Sequence, residues 1–288
     1  FHAIQCKLYD ADRTVSKKKI DRFISAESKT YFSRRIIVST THKWSDNALA
    51  TLENQDPPVT KIDLETLEQS AIDWSLFAEK KEVVLKPKKQ LRDHQKAALT
   101  NVQIGLYEQG LERGKLIMAC GTGKTFTSLN IAEECAGKGK RVLFLVPSLS
   151  LLSQTLTEWT QESTTPLLSY AVCSDTEVSK NKNKTAIDAV TTLAHELQYP
   201  ATTDAKKLAE NVEKHHDADH MTVVFSTYHS INTVSDAQND YQMGEFDLII
   251  CDEAHRTTGS THDSELDSNF VKIHDGGFML GKKRIYMT

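Results

Sequence analysis

A glycine-rich stretch between an apolar run and a helical pattern carries the clearest chemistry in this sequence. It reads Met118-Ala119-Cys120-Gly121-Thr122-Gly123-Lys124-Thr125. Glycines let backbone N–H groups wrap phosphate oxygens, and the N-terminus of the following helix adds partial positive charge. The spacing places Lys124 to reach the β- and γ-phosphates and Thr125 to hold Mg²⁺ through its hydroxyl. The sequence therefore predicts an ATP-phosphate loop formed by Gly121, Thr122, Gly123, Lys124 and Thr125, although Met118 replaces the usual first glycine.

Two adjacent carboxylates follow a second apolar run, Leu248 to Cys251. A buried parallel strand delivers such residues to its carboxyl end, where ligands bind in open α/β sheets. Asp252 fits the protein partner of Mg²⁺, and Glu253 fits the group that orients and activates the attacking water. The pair therefore predicts the hydrolytic half of the same site.

The first strand-like run holds a glutamine and a lysine two positions apart. Side chains alternate along a strand, so Gln5 and Lys7 project from one face, while Ile4, Cys6 and Leu8 project from the other. The ordinary interpretation is a lysine that extends its ammonium to solvent from a half-buried strand. Catalysis is the second interpretation, and it depends on the context supplied by the rest of the chain.

The elements that must position these residues fall into two groups. Strand-like runs at 3–9, 34–40 and 59–63 alternate with helical patterns that start near Ser16 and Ser45. This order predicts a small α/β module over residues 1–78, followed by a linker over 79–89. From Gln90 onward, a helical pattern over 92–109 precedes apolar strands at 115–119, 141–146, 167–173, 221–226, 246–251 and 284–287. Strands this uniformly apolar predict a doubly wound parallel sheet over residues 90–288.

Composition places the chain among cytoplasmic globular proteins. It has 288 residues, 39% of them hydrophobic, and a net charge of −4. No apolar run approaches the roughly 18 residues of a membrane span, so we expect no membrane partner. Five cysteines without CxxC spacing favour reduced thiols over disulfides or a zinc site. The net charge is +6 over residues 1–43 and +5 over residues 80–96. Such basic stretches are typical of solvated faces, but they also suit contact with phosphates.

The segment from Gln90 onward resembles superfamily-two helicases and translocases, with MACGTGKT as motif I and CDEAH as motif II. Leu91 to Gln95 is similar to the family's upstream motif, so the resemblance assigns adenine contact to Gln95. Two further segments, VPSLSLLSQ and FSTYHS, are similar to the motifs that track a nucleic-acid backbone. The resemblance implies DNA contacts at Pro147, Ser148, Ser226 and Thr227. The alternative for each segment by itself is a Ser/Thr turn that caps a helix.

In this context Gln5-Cys6-Lys7 resembles the QxK half of the PD-(D/E)xK motif of Mrr-like restriction endonucleases. The resemblance implies that Gln5 helps to organise a divalent metal and that Lys7 assists the attacking water, with an acid contributed from upstream of Phe1. The whole chain is similar to the motor of single-polypeptide type ISP restriction-modification enzymes, with type I motor subunits as neighbours. This resemblance implies that the chain is a fragment. Its implied partners are double-stranded DNA and the remaining domains of the same polypeptide, namely a second RecA-like lobe, a coupler, a methyltransferase and a target-recognition domain.

Three function hypotheses remain at this point. The first is an ATP- and Mg²⁺-dependent motor on double-stranded DNA, coupled to cleavage by the N-terminal module. The second is a helicase that separates DNA or RNA strands and uses the N-terminal module only for binding. The third is a nucleotide-dependent scaffold, against which the intact Lys124, Asp252 and Glu253 argue.

Overall fold

The computed structural model describes residues 2–26, 34–52, 59–173, 201–255 and 265–288. Within them the chain divides into two compact units, the first ending at Lys88 and the second beginning at Lys89. Both units are α/β, and the predicted fold class is confirmed. The sequence also predicts a polar insertion at 175–185 (DTEVSKNKNKT) and a turn at 54–58 (NQDPP), and both segments lie outside the described residues.

The first unit contains three parallel strands in the spatial order β1-β2-β3. Its elements are β1 (His2–Lys7), α1 (Lys17–Ala26), β2 (Arg34–Ser39), α2 (Asp46–Leu52), β3 (Val59–Ile62), α3 (Leu64–Glu68) and α4 (Trp74–Lys80). Its core packs residues from β1, β2, α1 and α2 together, among them Ala3, Ile20, Phe23, Ile37 and Ala48. This small core fixes the strand that bears Gln5 and Lys7.

The second unit is built on a seven-stranded sheet in the order β4-β10-β9-β5-β8-β6-β7. Its strands are β4 (Arg113–Leu116), β5 (Arg141–Val146), β6 (Leu167–Val172), β7 (Ala201–Thr202), β8 (Met221–Thr227), β9 (Phe246–Cys251) and β10 (Gly281–Met287). Its helices are α5 (Asp93–Gln103), α6 (Lys124–Cys135), α7 (Leu149–Glu162), α8 (Ala205–His215), α9 (Ile231–Asn239) and α10 (Glu265–Lys272), with a π-helical turn at Ile104–Glu108 and a 3₁₀ turn at Tyr228–Ser230.

Every pairing in this sheet is parallel, as predicted. The central strands are buried on both faces: all of Val142 to Val146 and all of β8 are inaccessible to solvent or nearly so. Parallel strands align their carboxyl ends along one edge of the sheet. The fold therefore brings the residues that follow β4, β5, β8 and β9 to a common edge.

Some element boundaries differ from the sequence-based predictions. The helical pattern at 92–109 forms α5 and then a π turn. Strand β4 covers Arg113–Leu116 rather than 115–119, although the Met118 N–H still donates to the carbonyl of Thr288 beyond it. The stretch from 73 to 89, which has no long periodic pattern, contains α4, whose first turn is capped by Asp73.

Among the described residues, no helix has the length and apolar character needed to cross a membrane.

Candidate active site

The predicted phosphate loop lies between β4 and α6. Gly121 and Gly123 both adopt positive φ angles, +74° and +85°, which L-amino acids with a side chain rarely take. At Gly123 a Cβ would also lie 2.6 Å from Nε2 of Gln95. Lys124 begins α6 immediately afterwards, so its N–H and those of the next residues are the open donors of a helix N-terminus. The loop has the geometry that phosphate binding requires.

Gln95 packs behind this loop and is only 4% exposed. Its Oε1 accepts from the backbone N–H of Arg92, and its Nε2 donates to the carbonyls of Thr122 and Gly123 at 3.2 and 3.3 Å. The structure therefore brings Gln95 to the phosphate loop. Its contact with adenine stays a prediction, because both its amide atoms are engaged within the protein.

The two motif II carboxylates follow β9 directly. The Asp252 N–H donates to the carbonyl of Leu145 on β5, which fixes the start of the turn between two strands. Glu253 then takes a left-handed conformation, φ +49°, and its N–H donates to Oδ1 of Asp252 at 2.9 Å. A non-glycine residue held in this region carries strain of the kind that clusters at functional sites.

The phosphate loop and motif II meet through an ion pair. Lys124 Nζ donates to Oε1 of Glu253 at 2.8 Å, and the two side chains are 14% and 29% exposed. Burial disfavours the ammonium, but the hydrogen bond and charge of Glu253 outweigh burial and raise the pKa of Lys124. Burial, together with repulsion from Glu253, raises the pKa of Asp252 against the backbone hydrogen bond that it accepts. The lysine is therefore cationic and lies against the carboxylate pair.

These residues fit a Mg²⁺–nucleotide. Two positive-φ glycines leave the backbone of the loop open, Lys124 supplies a cation, and the hydroxyl of Thr125 and the carboxylate of Asp252 are hard oxygen donors of the class that Mg²⁺ selects. Asp252 is 5% exposed and has no ion-pair partner among the described residues, so a bound cation would neutralise its charge.

The predicted DNA-contact residues lie at the same edge of the sheet, after β5 and β8. Pro147 is buried, and Ser148 caps α7 by accepting from the N–H of Leu151. The hydroxyl of Ser226 donates to the carbonyl of Thr227, and the hydroxyl of Thr227 accepts from the N–H of Ser230. The side chains of Ser226 and Thr227 are fully buried. The structure thus uses these hydroxyls within the protein, and DNA contact at these four residues stays a prediction.

In the first unit, β1 shows the predicted alternation with an unusual orientation. Ile4 and Leu8 are 61% and 87% exposed, whereas Gln5 and Lys7 share the inward face with buried Ala3. Oε1 of Gln5 is buried and finds no hydrogen-bond partner among the described residues. Lys7 forms no ion pair within that part of the chain. Gln5 and Lys7 are themselves partly buried, and their catalytic role stays a prediction.

No cluster of three or more His, Cys, Asp or Glu side chains that could hold a metal occurs within the described residues.

Three side chains near the ATP site have no role in the sequence-based predictions. His255 Nδ1 lies 3.3 Å from Oε2 of Glu253 and 3.1 Å from the hydroxyl of Thr288. Trp159 donates to the carbonyl of Thr125, and Tyr228 donates to the carbonyl of Asp252. Only the place of His255 as the last residue of CDEAH could have indicated its position, because Trp159 and Tyr228 approach the site from distant elements.

Comparison with protein families finds two matches that together cover most of the chain. Residues 1–84 match the restriction endonuclease family, and residues 88–276 match the type III restriction enzyme res subunit family. No match to this chain was found among curated proteins.

Two type ISP restriction-modification enzymes are among the solved structures similar to the chain. The ATP-dependent type ISP restriction-modification enzyme LlaBIII bound to DNA is 40% identical, with a TM-score of 0.83 over 100% of this chain and 18% of that one. A nuclease-deletion mutant of the type ISP enzyme LlaGI, in complex with a DNA substrate mimic, is 39% identical, with a TM-score of 0.54 over 69% of this chain and 17% of that one. The chain thus spans less than a fifth of the length of either enzyme. It belongs to the type III restriction enzyme res subunit family, with an Mrr-like restriction endonuclease domain preceding the helicase domain.

Proposed function

We propose that this chain is the nuclease-plus-first-motor part of an ATP-dependent restriction enzyme that translocates on double-stranded DNA and cleaves it with Mg²⁺. The observation that carries the motor half is the 2.8 Å contact between Lys124 and Glu253, beside Asp252, at the carboxyl edge of a parallel sheet. Residues separated by 129 positions meet where nucleotide hydrolysis needs them.

Each residue of the candidate site has a separate role in phosphoryl transfer. Backbone N–H groups of the loop and of the first turn of α6 hold the phosphates, and Lys124 stabilises negative charge on the transferring group. Thr125 and Asp252 hold Mg²⁺, which when bound neutralises phosphate charge. Glu253 orients the attacking water and accepts its proton. In the structure Glu253 is paired with Lys124, so the lysine must turn toward phosphate before Glu253 is available as a base.

The N-terminal unit supplies the cleavage activity. Gln5 would help to hold a divalent metal through its buried Oε1, and Lys7 would stabilise charge at the scissile phosphate. Support comes from the inward orientation of both side chains and from the restriction endonuclease match over residues 1–84.

The partners of this chain are double-stranded DNA and further parts of one polypeptide. Similarity that covers only 18% and 17% of two longer enzymes supports a second RecA-like lobe, a coupler, a methyltransferase and a target-recognition domain beyond these residues. A cytoplasmic location is supported by the five cysteines, none of which forms a disulfide.

The test uses a polypeptide that carries this chain together with the downstream lobe. We expect linear duplex DNA, but not single-stranded DNA, to stimulate ATP hydrolysis. We also expect ATP-dependent displacement of a triplex-forming strand without separation of the duplex, and Mg²⁺-dependent cleavage. Stimulation by single strands accompanied by duplex unwinding would favour the helicase alternative. ATP binding without stimulated hydrolysis would favour the scaffold.

A further inference from the structure

The two residues predicted to hold Mg²⁺ share a feature that the phosphate-loop chemistry does not require. The backbone carbonyl of each accepts a hydrogen bond from a buried aromatic side chain. Trp159 Nε1 donates to the carbonyl of Thr125 at 3.2 Å, and the Tyr228 hydroxyl donates to the carbonyl of Asp252 at 2.8 Å. Both donors are completely buried.

Each donor belongs to an element that follows a predicted DNA-tracking segment. Trp159 lies on α7, which Ser148 caps, about three helical turns beyond that residue. Tyr228 follows Thr227 directly and begins the 3₁₀ turn. The same two loops that are predicted to contact DNA are thus connected, through one rigid side chain each, to the two predicted ligands of Mg²⁺.

The surrounding packing makes both connections stiff. The ring of Trp159 packs edge-on against Phe144 of β5 and Phe225 of β8, with ring centroids 5.1 and 5.3 Å apart. Tyr228 stacks on Phe270 of α10 at 4.6 Å. Burial also raises the pKa of Tyr228, so its hydroxyl remains a donor at any physiological pH. A close-packed aromatic core transmits a displacement instead of absorbing it.

The carbonyl of Thr125 is held from a second side as well. Ser128, buried on α6, donates its hydroxyl to the same oxygen at 2.7 Å. The first turn of α6 is therefore fixed both by its own helix and by α7. A movement of α7 relative to α6 would therefore displace the first turn of α6, which carries the hydroxyl of Thr125.

We infer that Trp159 and Tyr228 are positioning residues that couple DNA contact to Mg²⁺ binding. Each holds the backbone carbonyl of a residue, Thr125 or Asp252, whose side chain is predicted to bind the metal. The inference rests on the proposed ATP-driven motor. DNA held at the loops after β5 and β8 shifts α7 and the 3₁₀ turn, and the two aromatic donors carry that shift to the residues that hold the metal. Coupling of this kind appears as a free energy between the two sites.

The experiment measures ATP hydrolysis with and without duplex DNA in the polypeptide that contains both lobes. Tyr228→Phe removes one hydroxyl and preserves the ring, and Trp159→Phe removes the indole donor. We expect each variant to lower the ratio of DNA-stimulated to DNA-free turnover about tenfold. We also expect a higher Mg²⁺ concentration for half-maximal rate, with a melting temperature near that of the wild type for Tyr228→Phe.

Two matched controls separate coupling from loss of packing. Tyr170→Phe removes a hydroxyl that donates to the carbonyl of Asn211 at 3.0 Å, away from both loops. Trp44→Phe removes an indole N–H that has no hydrogen-bond partner among the described residues. Neither control should change the stimulation ratio.

The outcomes distinguish this inference from the proposed function. If wild type shows no DNA-stimulated hydrolysis, the motor proposal fails. If wild type is stimulated and both Tyr228→Phe and Trp159→Phe retain its ratio and Mg²⁺ requirement, the coupling inference is overturned while the motor stands. Equal losses in Tyr228→Phe and Tyr170→Phe would also overturn it, because the effect would then follow from a lost hydroxyl anywhere in the sheet.

Discussion

At the scale of single residues, one contact decides the chemistry. Lys124 and Glu253 form an ion pair, and we propose a separate role for each: Lys124 stabilises charge on the transferring phosphate, and Glu253 activates the attacking water. The pair holds both groups ready in the absence of nucleotide and must separate for hydrolysis. Substitutions on its two sides should therefore affect different steps.

The first prediction separates those steps. Lys124→Ala should lower DNA-stimulated kcat by about 10²–10³, since one stabilising donor to the transferring phosphate is lost, and should also weaken nucleotide binding. Glu253→Gln should lower kcat by about 10²–10⁴ while binding is retained, because the amide cannot accept the proton of water. Steady-state hydrolysis and titration with a fluorescent nucleotide measure both. Wild-type turnover in either variant would contradict the assigned roles.

A second prediction concerns the inward face of β1. Lys7→Ala should reduce DNA cleavage by about 10²–10³ because charge at the scissile phosphate loses its stabilising cation. ATP-dependent displacement of a triplex strand should remain near wild type, since Lys7 lies in a different compact unit from the ATP site. Leu8→Ala, at an exposed position of the same chain segment, is the control. Unchanged cleavage by Lys7→Ala would make Lys7 an ordinary strand residue.

At the scale of elements, the turn from β4 into α6 sets the phosphate site. Gly123 is required there for two separate reasons. Its φ of +85° lies in the left-handed region, and the space that a Cβ would occupy is taken by Gln95. A side chain at this position would therefore be strained by the backbone conformation and would displace the amide of Gln95.

The third prediction tests this fit. Gly123→Ala should cost about 1–2 kcal/mol of folding free energy from the backbone conformation alone, and the displaced Gln95 should additionally raise KM for ATP. Gly110→Ala is the matched control, because Gly110 has a φ of +70° and nothing within 4 Å of its would-be Cβ. Both variants should melt earlier, but only Gly123→Ala should impair ATP binding. An equal change of KM in both would show that Gln95 has no part in the loop.

At the scale of the molecule, residues 1–288 contain one RecA-like lobe. Superfamily-two motors hold ATP between two lobes, and an arginine from the second lobe contributes about 10³–10⁵ in rate in related phosphoryl-transfer enzymes. The residues described here supply one face of such a site. Binding of nucleotide and catalytic turnover should therefore depend differently on the second lobe.

The fourth prediction compares two polypeptides. Residues 1–288 alone should bind nucleotide weakly, show almost no DNA-stimulated hydrolysis, and bind duplex DNA with an affinity that falls steeply with salt. Addition of the downstream lobe in one polypeptide should restore hydrolysis and tighter DNA binding together. Steady-state ATP hydrolysis and DNA binding at several salt concentrations measure these properties. Strong DNA-stimulated turnover by residues 1–288 alone would refute the two-lobe mechanism.

The sequence by itself determined the fold class and predicted the local chemistry. MACGTGKT and CDEAH indicate their roles by residue type and spacing, and the uniformly apolar strands predicted the parallel sheet, because burial on both faces leaves a pattern within one short segment. The strand pattern also predicted that Gln5 and Lys7 lie on one face of β1 and that Ile4 and Leu8 lie on the other. Short-range patterns of this kind depend only on neighbouring residues.

Only the tertiary structure decided which face of β1 turns inward, how Gln95 engages the phosphate loop, and that Trp159 and Tyr228 hold the carbonyls of Thr125 and Asp252. Each of these contacts joins residues that are remote in sequence. Trp159 and Tyr228 appear in the sequence as ordinary aromatic residues of a helix and a turn. Their positions follow from the packing of α7 against the sheet and from the place of β8 within it. The sequence does not predict them, because long-range packing leaves no periodic pattern around the residues that it brings together.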